Sequence, residues 1–378
     1  MSMIEPIKVP KWGLSMEEGT IVEWHVSEGD RVAEGGDIVD IETTKITNVC
    51  QAHTDGFIRK VISKEGDTIP VGGLIAVMAE PDVSDSDIDA FISSYEIQEE
   101  KREADTSGVE LEIRHVDIGN NRTLRVSVAG ENQSGTPVIL IHGYGGDLEN
   151  WSLVMAGLAL QVPVYAIEMP GHGQSTKSVG EGKLSDLVEA IITGIEKINL
   201  AKFVLCGHSL GGAVACAASQ KIREKITALV LVAPAAIPGG KISNQYLNDF
   251  VSARRVRDMK KPANLLFHNP DMVTRNMLEQ LVRFKRIDGV QSALEAISHN
   301  LSGADKDYDK VGQYLADFDG AITLMSSKTD QVVGSPDVDS LPDNVRLVWI
   351  DNVGHMPHIE AYDKVVSEIM LSANHASI

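Results

Sequence analysis

The sequence predicts two folds on one chain: a small all-β sandwich and, behind it, a larger α/β domain with a mostly parallel sheet and a helical lid. Three observations carry this. Residues 19–42 align without a gap on residues 56–79, with Gly19/Gly56, Glu28-Gly29-Asp30/Glu65-Gly66-Asp67, Gly35-Gly36/Gly72-Gly73 and Ile38/Ile75 coinciding. From residue 109 onward, short continuous apolar runs alternate with helical patterns, as in a parallel sheet covered on both faces. Within that region an apolar run, Lys202–Cys206, leads into Gly207-His208-Ser209-Leu210-Gly211 and then a small-residue helical run. Strand, Gly-x-Ser-x-Gly turn and helix in that order form a nucleophile elbow, with Ser209 presented above the sheet edge.

Bulk properties narrow the setting. The chain has 378 residues, 43% apolar and 23% charged, which suits two or three soluble globular domains. No apolar run approaches the roughly 18 residues of a membrane span. Met1–Pro10 lacks the basic and apolar regions of a signal peptide, so the expected location is cytoplasmic. Cys50, Cys206 and Cys216 have no metal-site spacing and read as buried thiols; no metal is expected. The net charge is −20, and residues 1–108 carry 23 acidic against 9 basic side chains. Such a field argues against nucleic acid and anionic membranes as partners, and it sets the N-terminal part apart from the rest.

Each N-terminal half reads as a strand, a Glu-Gly-Asp turn, a second strand entry, a Gly-Gly turn and an apolar strand. Two such halves pack face to face as one sandwich with approximate twofold symmetry. Between them, Ile41-Glu-Thr-Thr-Lys45-Ile46 forms a tight hairpin with Lys45 at its tip. With these features residues 1–80 resemble a lipoyl domain, and Lys45 holds the position of the lipoyl-lysine. Biotin carriers share the fold but flank the lysine with methionines, whereas the neighbours here are Thr44 and Ile46. The resemblance implies lipoate covalently attached to Lys45 by a lipoate-attaching enzyme. Thr44 departs from the aspartate common at that position.

Residues 81–108 form an acidic linker in which Ile88, Phe91, Ile92 and Tyr95 keep helical spacing after a possible cap at Ser86. The expectation is one short amphipathic helix inside a tether that, as flexible coil, reaches roughly 30 Å. A separate two-helix subunit-binding domain is not recognisable.

Residues 109–378 supply strand-like runs at 111–118, 123–129, 137–143, 164–168, 202–206, 228–232, 321–325 and 346–350. Asp330 follows the 321–325 run, and His355 follows the last run in Asp351-Asn-Val-Gly-His355. Serine, acid and base thus occur in the chain order of an α/β-hydrolase, which this domain resembles. His355 is the expected base and Asp330 the acid that orients it, ahead of Asp317, Asp351 and His358. His142-Gly143-Tyr144-Gly145-Gly146 sits where the second oxyanion donor belongs, so the N–H groups of Tyr144 and Leu210 are the expected oxyanion hole. His172 reads as a loop residue and His358 as a residue lining the entrance. Residues 235–315, rich in large apolar side chains, are expected to form the lid. They include basic residues Arg254, Arg255, Arg257, Lys260 and Lys261 that suit a phosphate-bearing ligand or the acidic module, or simply a solvated face.

A carrier lysine and an acyl-serine site on one chain imply acyl movement off a dihydrolipoyl thioester. Lipoyl domain followed directly by α/β-hydrolase domain resembles the dihydrolipoamide acetyltransferase components of bacterial acetoin dehydrogenase complexes. That resemblance implies acetyl transfer to coenzyme A, a thiamine-diphosphate acetoin-cleaving partner and a flavin dihydrolipoamide dehydrogenase; a homo-oligomer is expected besides. None of the eleven histidines begins the His-x-x-x-Asp-Gly motif of ordinary lipoyl-bearing acyltransferases, which leaves Ser209 as the acyl site. Two alternatives stand beside transfer: a carrier-tethered hydrolase or thioesterase releasing free acid, and a scaffold whose hydrolase fold is not needed for turnover.

Overall fold

The computed structural model describes residues 4–10, 18–42, 47–52, 54–106, 111–240 and 242–375. They divide into two units, residues 1–107 and 108–378.

Among the described residues the N-terminal unit holds eight strands: β1 (Glu5–Lys8), β2 (Glu18–Trp24), β3 (Arg31–Val32), β4 (Asp37–Glu42), β5 (Thr47–Gln51), β6 (Gly56–Val61), β7 (Thr68–Pro70) and β8 (Leu74–Ala79). They form two antiparallel four-stranded sheets, ordered β1-β8-β6-β3 and β5-β4-β2-β7. The duplication explains the topology. Each half places its long strands in one sheet and its short strand in the other, so β3 pairs with β6 and β7 pairs with β2. The hydrogen bonds repeat the symmetry: Gly29 N–H donates to Ile58 O at 2.7 Å, and Gly66 N–H donates to Ile21 O at 2.8 Å. Gly29 and Gly66 both need positive φ (+95° and +87°), where a side chain is strained. Ile21, Ile38, Ile41, Ile58 and Ile75 fill the space between the sheets. In the hairpin of β4 and β5, Glu42 pairs with Thr47. Residues 43–46, Lys45 among them, join these strands and lie outside the described residues.

The segment expected as a tether with one short helix is helical over 22 residues, α1 (Asp85–Thr106). Its cap is Ser84, not Ser86: Ser84 Oγ accepts from Asp87 N–H at 3.2 Å. Ile88 and Val83 bury against Val77 and Ala79 of β8, with Phe91 and Ile92 alongside. Arg59 donates to the carbonyls of Glu80 and Val83, and Tyr95 Oη to that of Gly72. The apolar stripe docks on its own unit, and that contact turns much of a tether into a packed element.

In the C-terminal unit, β9 (Glu112–Asp117) and β10 (Thr123–Ala129) precede β11 (Val138–Ile141), helix α2 (Ser152–Leu158), β12 (Val164–Ile167), α3 (Leu184–Ile198), β13 (Phe203–His208), α4 (Leu210–Ile222) and β14 (Ile226–Val232). Helices α5 (Asn244–Ser252), α6 (Val256–Asn264), α7 (Arg275–Lys285) and α8 (Val290–His299) follow as an insertion. Then come α9 (Val311–Asp317), β15 (Ala321–Ser326), β16 (Val345–Trp349), α10 (Pro357–Glu360) and α11 (Tyr362–His375). The eight-stranded sheet runs β16-β15-β14-β13-β11-β12-β10-β9. All pairings from β12 to β16 are parallel; β9 and β10 add antiparallel pairs at one edge.

Strand alternation divides the core in two. Ile139, Ile141, Leu205, Leu229 and Leu231 point to the face covered by α3 and α4. Val138, Leu140, Cys206, Val230 and Val232 point to the face covered by α2 and α11. Each such fully buried aliphatic side chain stabilises the fold by about 1.5–3 kcal/mol relative to exposure. The insertion adds Tyr246, Leu247, Phe250, Met259, Phe267 and Phe284 to the first of these clusters. The chain order reverses at β11, which lies between β12 and β13, and the crevice at strand C-termini beside such a switch is where open α/β sheets place their sites. Among the described residues, no helix is long and apolar enough to cross a membrane.

Candidate active site

Ser209 leaves β13 at φ +51°, ψ −117°, a conformation that costs a non-glycine residue about 1–3 kcal/mol. The surrounding glycines make it attainable. A Cβ on Gly207 would stand 2.2 Å from Gly211 O, and one on Gly211 would stand 2.3 Å from Ile141 O. The Ser209 carbonyl accepts from the N–H groups of Gly212, Ala213 and Ala235. These bonds hold the strained turn in place.

Three side chains from separate loops meet there. His355 Nε2 lies 2.9 Å from Ser209 Oγ, and His355 Nδ1 lies 2.8 Å from Asp330 Oδ2. A carboxylate only accepts, so Nδ1 carries the proton and Nε2 is free to accept from the serine hydroxyl. Asp330 Oδ1 accepts from Val332 N–H at 2.8 Å and Val333 N–H at 3.0 Å. Burial works against ionisation of Asp330, but His355 beside it and these two N–H donors hold its carboxyl below the usual range. Ser209 and His355 are each 2% exposed, so the Asp330–His355–Ser209 contacts lie in a low-dielectric setting. The rival acids do not reach it: Asp317 accepts from Gln313 one turn earlier on α9, and Asp351 is exposed.

The glycine loop after β11 lies against the elbow. A Cβ on Gly143 would come within 2.6 Å of His208 Nδ1 and 3.1 Å of Ser209 Cβ. Leu210 opens α4, so its N–H has no intrahelical carbonyl to meet. The Tyr144 side chain turns away and donates its hydroxyl to Leu294 O at 2.9 Å. Phe250 of α5 covers the loop so closely that a Cβ on Gly145 would lie 2.5 Å from its ring.

Sequence reasoning missed a set of buried histidines that hold these loops. His172 Nε2 accepts the Gly145 N–H at 3.1 Å, so this loop residue supports the glycine loop. His142 Nε2 accepts Met169 N–H, and His208 Nε2 donates to His355 O at 2.8 Å. His358 does not line an entrance. It is fully buried in α10, its ring 4.2 Å from that of His208 and 4.7 Å from that of Trp151. Neither ring nitrogen of His358 has a hydrogen-bond partner among the described residues. Burial keeps all four neutral, lowering His172 to about 4 and His358 to about 3. The signal was weak: each acts through a partner distant in sequence or through a backbone group.

The model of the alpha/beta hydrolase fold family matches residues 136–362, and the model described as biotin-requiring enzyme matches residues 5–78. The dihydrolipoyllysine-residue acetyltransferase component of the acetoin cleaving system of Cupriavidus necator is 33% identical over 94% of this chain and 94% of its own length. The protein of the same description from Pseudomonas putida is 32% identical over 98% of both chains. The chain belongs to this acetyltransferase family. Both matches run through the two units together, so the pairing of an N-terminal carrier-type domain with a hydrolase fold is a family property. Among solved structures, 2-hydroxy-6-oxo-6-phenylhexa-2,4-dienoate hydrolase from Rhodococcus sp. strain RHA1 aligns with a TM-score of 0.62, covering 70% of this chain and 99% of its own at 19% identity. That likeness concerns the fold alone.

Proposed function

We propose that Ser209, His355 and Asp330 transfer an acetyl group from S-acetyl-dihydrolipoyl-Lys45 to coenzyme A, as one component of an acetoin-cleaving system. The observation that carries this reading is the unbroken relay Asp330–His355–Ser209 on a chain whose N-terminal unit is a carrier fold. The residues present fit a lipoyl group: the paired strands β4 and β5 are joined by four residues, 43–46, with a single amine, Lys45. Amide-linked lipoate would supply, in its reduced dihydrolipoyl form, a thiol on which an acetyl group is carried as a thioester.

Ser209 Oγ attacks the acetyl carbonyl while His355 Nε2 takes the hydroxyl proton. Asp330 holds the imidazole in the tautomer needed and stabilises the imidazolium that forms. The N–H groups of Tyr144 and Leu210 receive the negative charge developing on the carbonyl oxygen. His355 returns the proton to the departing sulfur, leaving acetyl-Ser209. The thiol of coenzyme A then attacks this ester, His355 takes the thiol proton and gives it back to Ser209 Oγ. In this reading a thiamine-diphosphate enzyme loads the carrier and a flavin enzyme reoxidises it.

The test supplies S-acetyl-dihydrolipoamide to the full-length chain, with and without coenzyme A, and quantifies acetyl-CoA and acetate. The wild type is expected to make acetyl-CoA, and Ser209→Ala to lose at least about 10³-fold in rate. Acetate as the sole product at saturating coenzyme A marks a thioesterase instead. Undiminished acetyl-CoA formation by Ser209→Ala removes the serine from the mechanism.

A further inference from the structure

One side chain outside the relay ties the helical insertion to the histidine loop. Glu360 ends α10, five residues beyond His355. Its Oε2 accepts the Gly354 N–H at 2.6 Å, and its Oε1 accepts the His268 N–H at 2.7 Å. Beside these bonds, His355 N–H donates to Leu266 O at 2.7 Å. The two backbones are in contact, since a Cβ on Gly354 would lie 2.6 Å from Leu266 O and 2.7 Å from His268 N. Leu266 and Phe267 bury their side chains in the core cluster that also contains Leu210 and Phe250. Segment 266–268, just after α6, is therefore pinned on Gly354 and His355, and a single carboxylate grips both partners.

We propose that Glu360 is a positioning residue that determines acceptor specificity: by clamping the insertion onto the His355 loop it sets how acetyl-Ser209 partitions between thiol and water. The inference rests on the acyl-transfer reading above. Both acceptors undergo the same chemistry. In each case His355 Nε2 takes one proton, the acceptor's sulfur or oxygen bonds to the acetyl carbon, the carbon–Oγ bond breaks, and Ser209 recovers the proton. The thiol is the stronger nucleophile, but water is in vast excess and the same relay activates it, so keeping water from acetyl-Ser209 depends on controlled access to the acetyl carbon. Nearly complete burial of Ser209 and His355 limits that access, and the Glu360 bridge ties this backbone contact at the base itself. Hydrogen bonds to a carboxylate are stronger than neutral ones, so one bridging glutamate suits the task.

The decisive variants are Glu360→Gln and Glu360→Ala in the full-length chain. Glutamine keeps the shape and one acceptor oxygen but turns an NH₂ toward the other N–H, so one of the two grips is lost. With S-acetyl-dihydrolipoamide as donor and saturating coenzyme A, the measured quantity is the ratio of acetate to acetyl-CoA. This ratio is fixed per acetyl-serine, so loss of folded protein does not move it. It is expected to rise about tenfold in Glu360→Gln and further in Glu360→Ala, as the loss of one and then two charge-assisted bonds implies. Faster hydrogen exchange at the Gly354 and His268 amides should accompany the rise. A wild-type ratio in both variants, even with total turnover reduced, overturns the proposal. Wild-type protein that yields acetate alone overturns the transfer reading instead, before any variant is compared.

Discussion

The two units assemble their chemistry in opposite ways. In the proposed reading the N-terminal unit contributes one lysine, Lys45, from the four-residue connection between β4 and β5, on a duplicated sandwich that supplies those two strands. In the C-terminal unit the proposed reacting groups, Ser209, Asp330 and His355, follow the ends of β13, β15 and β16, and meet because the parallel sheet brings those ends together. A carrier needs a single attachment point and gains nothing from convergence. A nucleophile needs a base, an acid and oxyanion donors within hydrogen-bond reach, which no contiguous stretch can provide.

The largest expected effect separates the units cleanly. Lys45→Arg should abolish lipoate attachment, read as the missing mass increment, while the purified chain still converts free S-acetyl-dihydrolipoamide. Asp330→Asn should do the reverse: lipoate is attached normally, but turnover of the free thioester falls about 10³–10⁴-fold as the imidazole loses its correct tautomer. Loss of both properties in either variant contradicts the division of labour.

Acid should sharpen the contrast by a smaller amount. In the C-terminal unit His142, His172, His208 and His358 are buried and held neutral, with folded pKa values below the unfolded 6.5. A depressed histidine pKa means that the unfolded chain binds protons first. The associated stability is present above pH 6.5 and is lost as pH falls toward the folded values, about 4 for His172 and about 3 for His358. Each such histidine contributes up to about 1.4 kcal/mol per pH unit in that window. The N-terminal unit carries the opposite sign: His25 hydrogen-bonds Asp40 at 2.9 Å, which raises its pKa, so its contribution is full below pH 6.5 and fades at higher pH. Hydrogen exchange between pH 7 and pH 4.5 should therefore show the C-terminal unit opening first. Equal loosening of the two units would count against this account.

The same contrast governs what could be read in advance. Gly29/Gly66 and Gly35/Gly72 announce the sandwich because positive φ demands glycine at those turns, and the requirement recurs in both halves. The elbow is legible for a similar reason, since Gly207 and Gly211 are forced by backbone atoms nearby in the fold. Asp330 and His355 could be singled out because strand ends are recognisable and the order of acid and base is constrained. Glu360 and His172 could not, because both act on backbone N–H groups, which every residue possesses. His358 owes its position to Trp151 and His208, far away in sequence. The length of α1 escaped because its second half, from Glu96 to Thr106, follows no apolar stripe and relies on helix-favouring Glu, Lys, Arg and Ala.

The smallest expected effect probes how the C-terminal unit supports its glycine loop. Asp147 caps the short helix Leu148–Trp151, accepting from Glu149 N–H at 3.0 Å while its own N–H donates to Asn150 Oδ1. Burial, with the charges of Glu168 and Glu149 adding to it, raises its pKa to about 6. A raised carboxyl pKa means that the folded chain holds the proton longer than the unfolded one. Its contribution is therefore full below pH 3.8 and is lost as pH rises through about 6. Asp147→Asn keeps an acceptor oxygen for Glu149 N–H but never ionises. Above pH 6 the variant should be more stable than the wild type by about 1–2 kcal/mol, the full shift being reduced because Asp147 is partly exposed. Below pH 4 the two should unfold alike, since both are then neutral at this position. Thermal unfolding across pH 4–8 checks this, and a difference independent of pH would assign the effect to the cap geometry rather than to the charge.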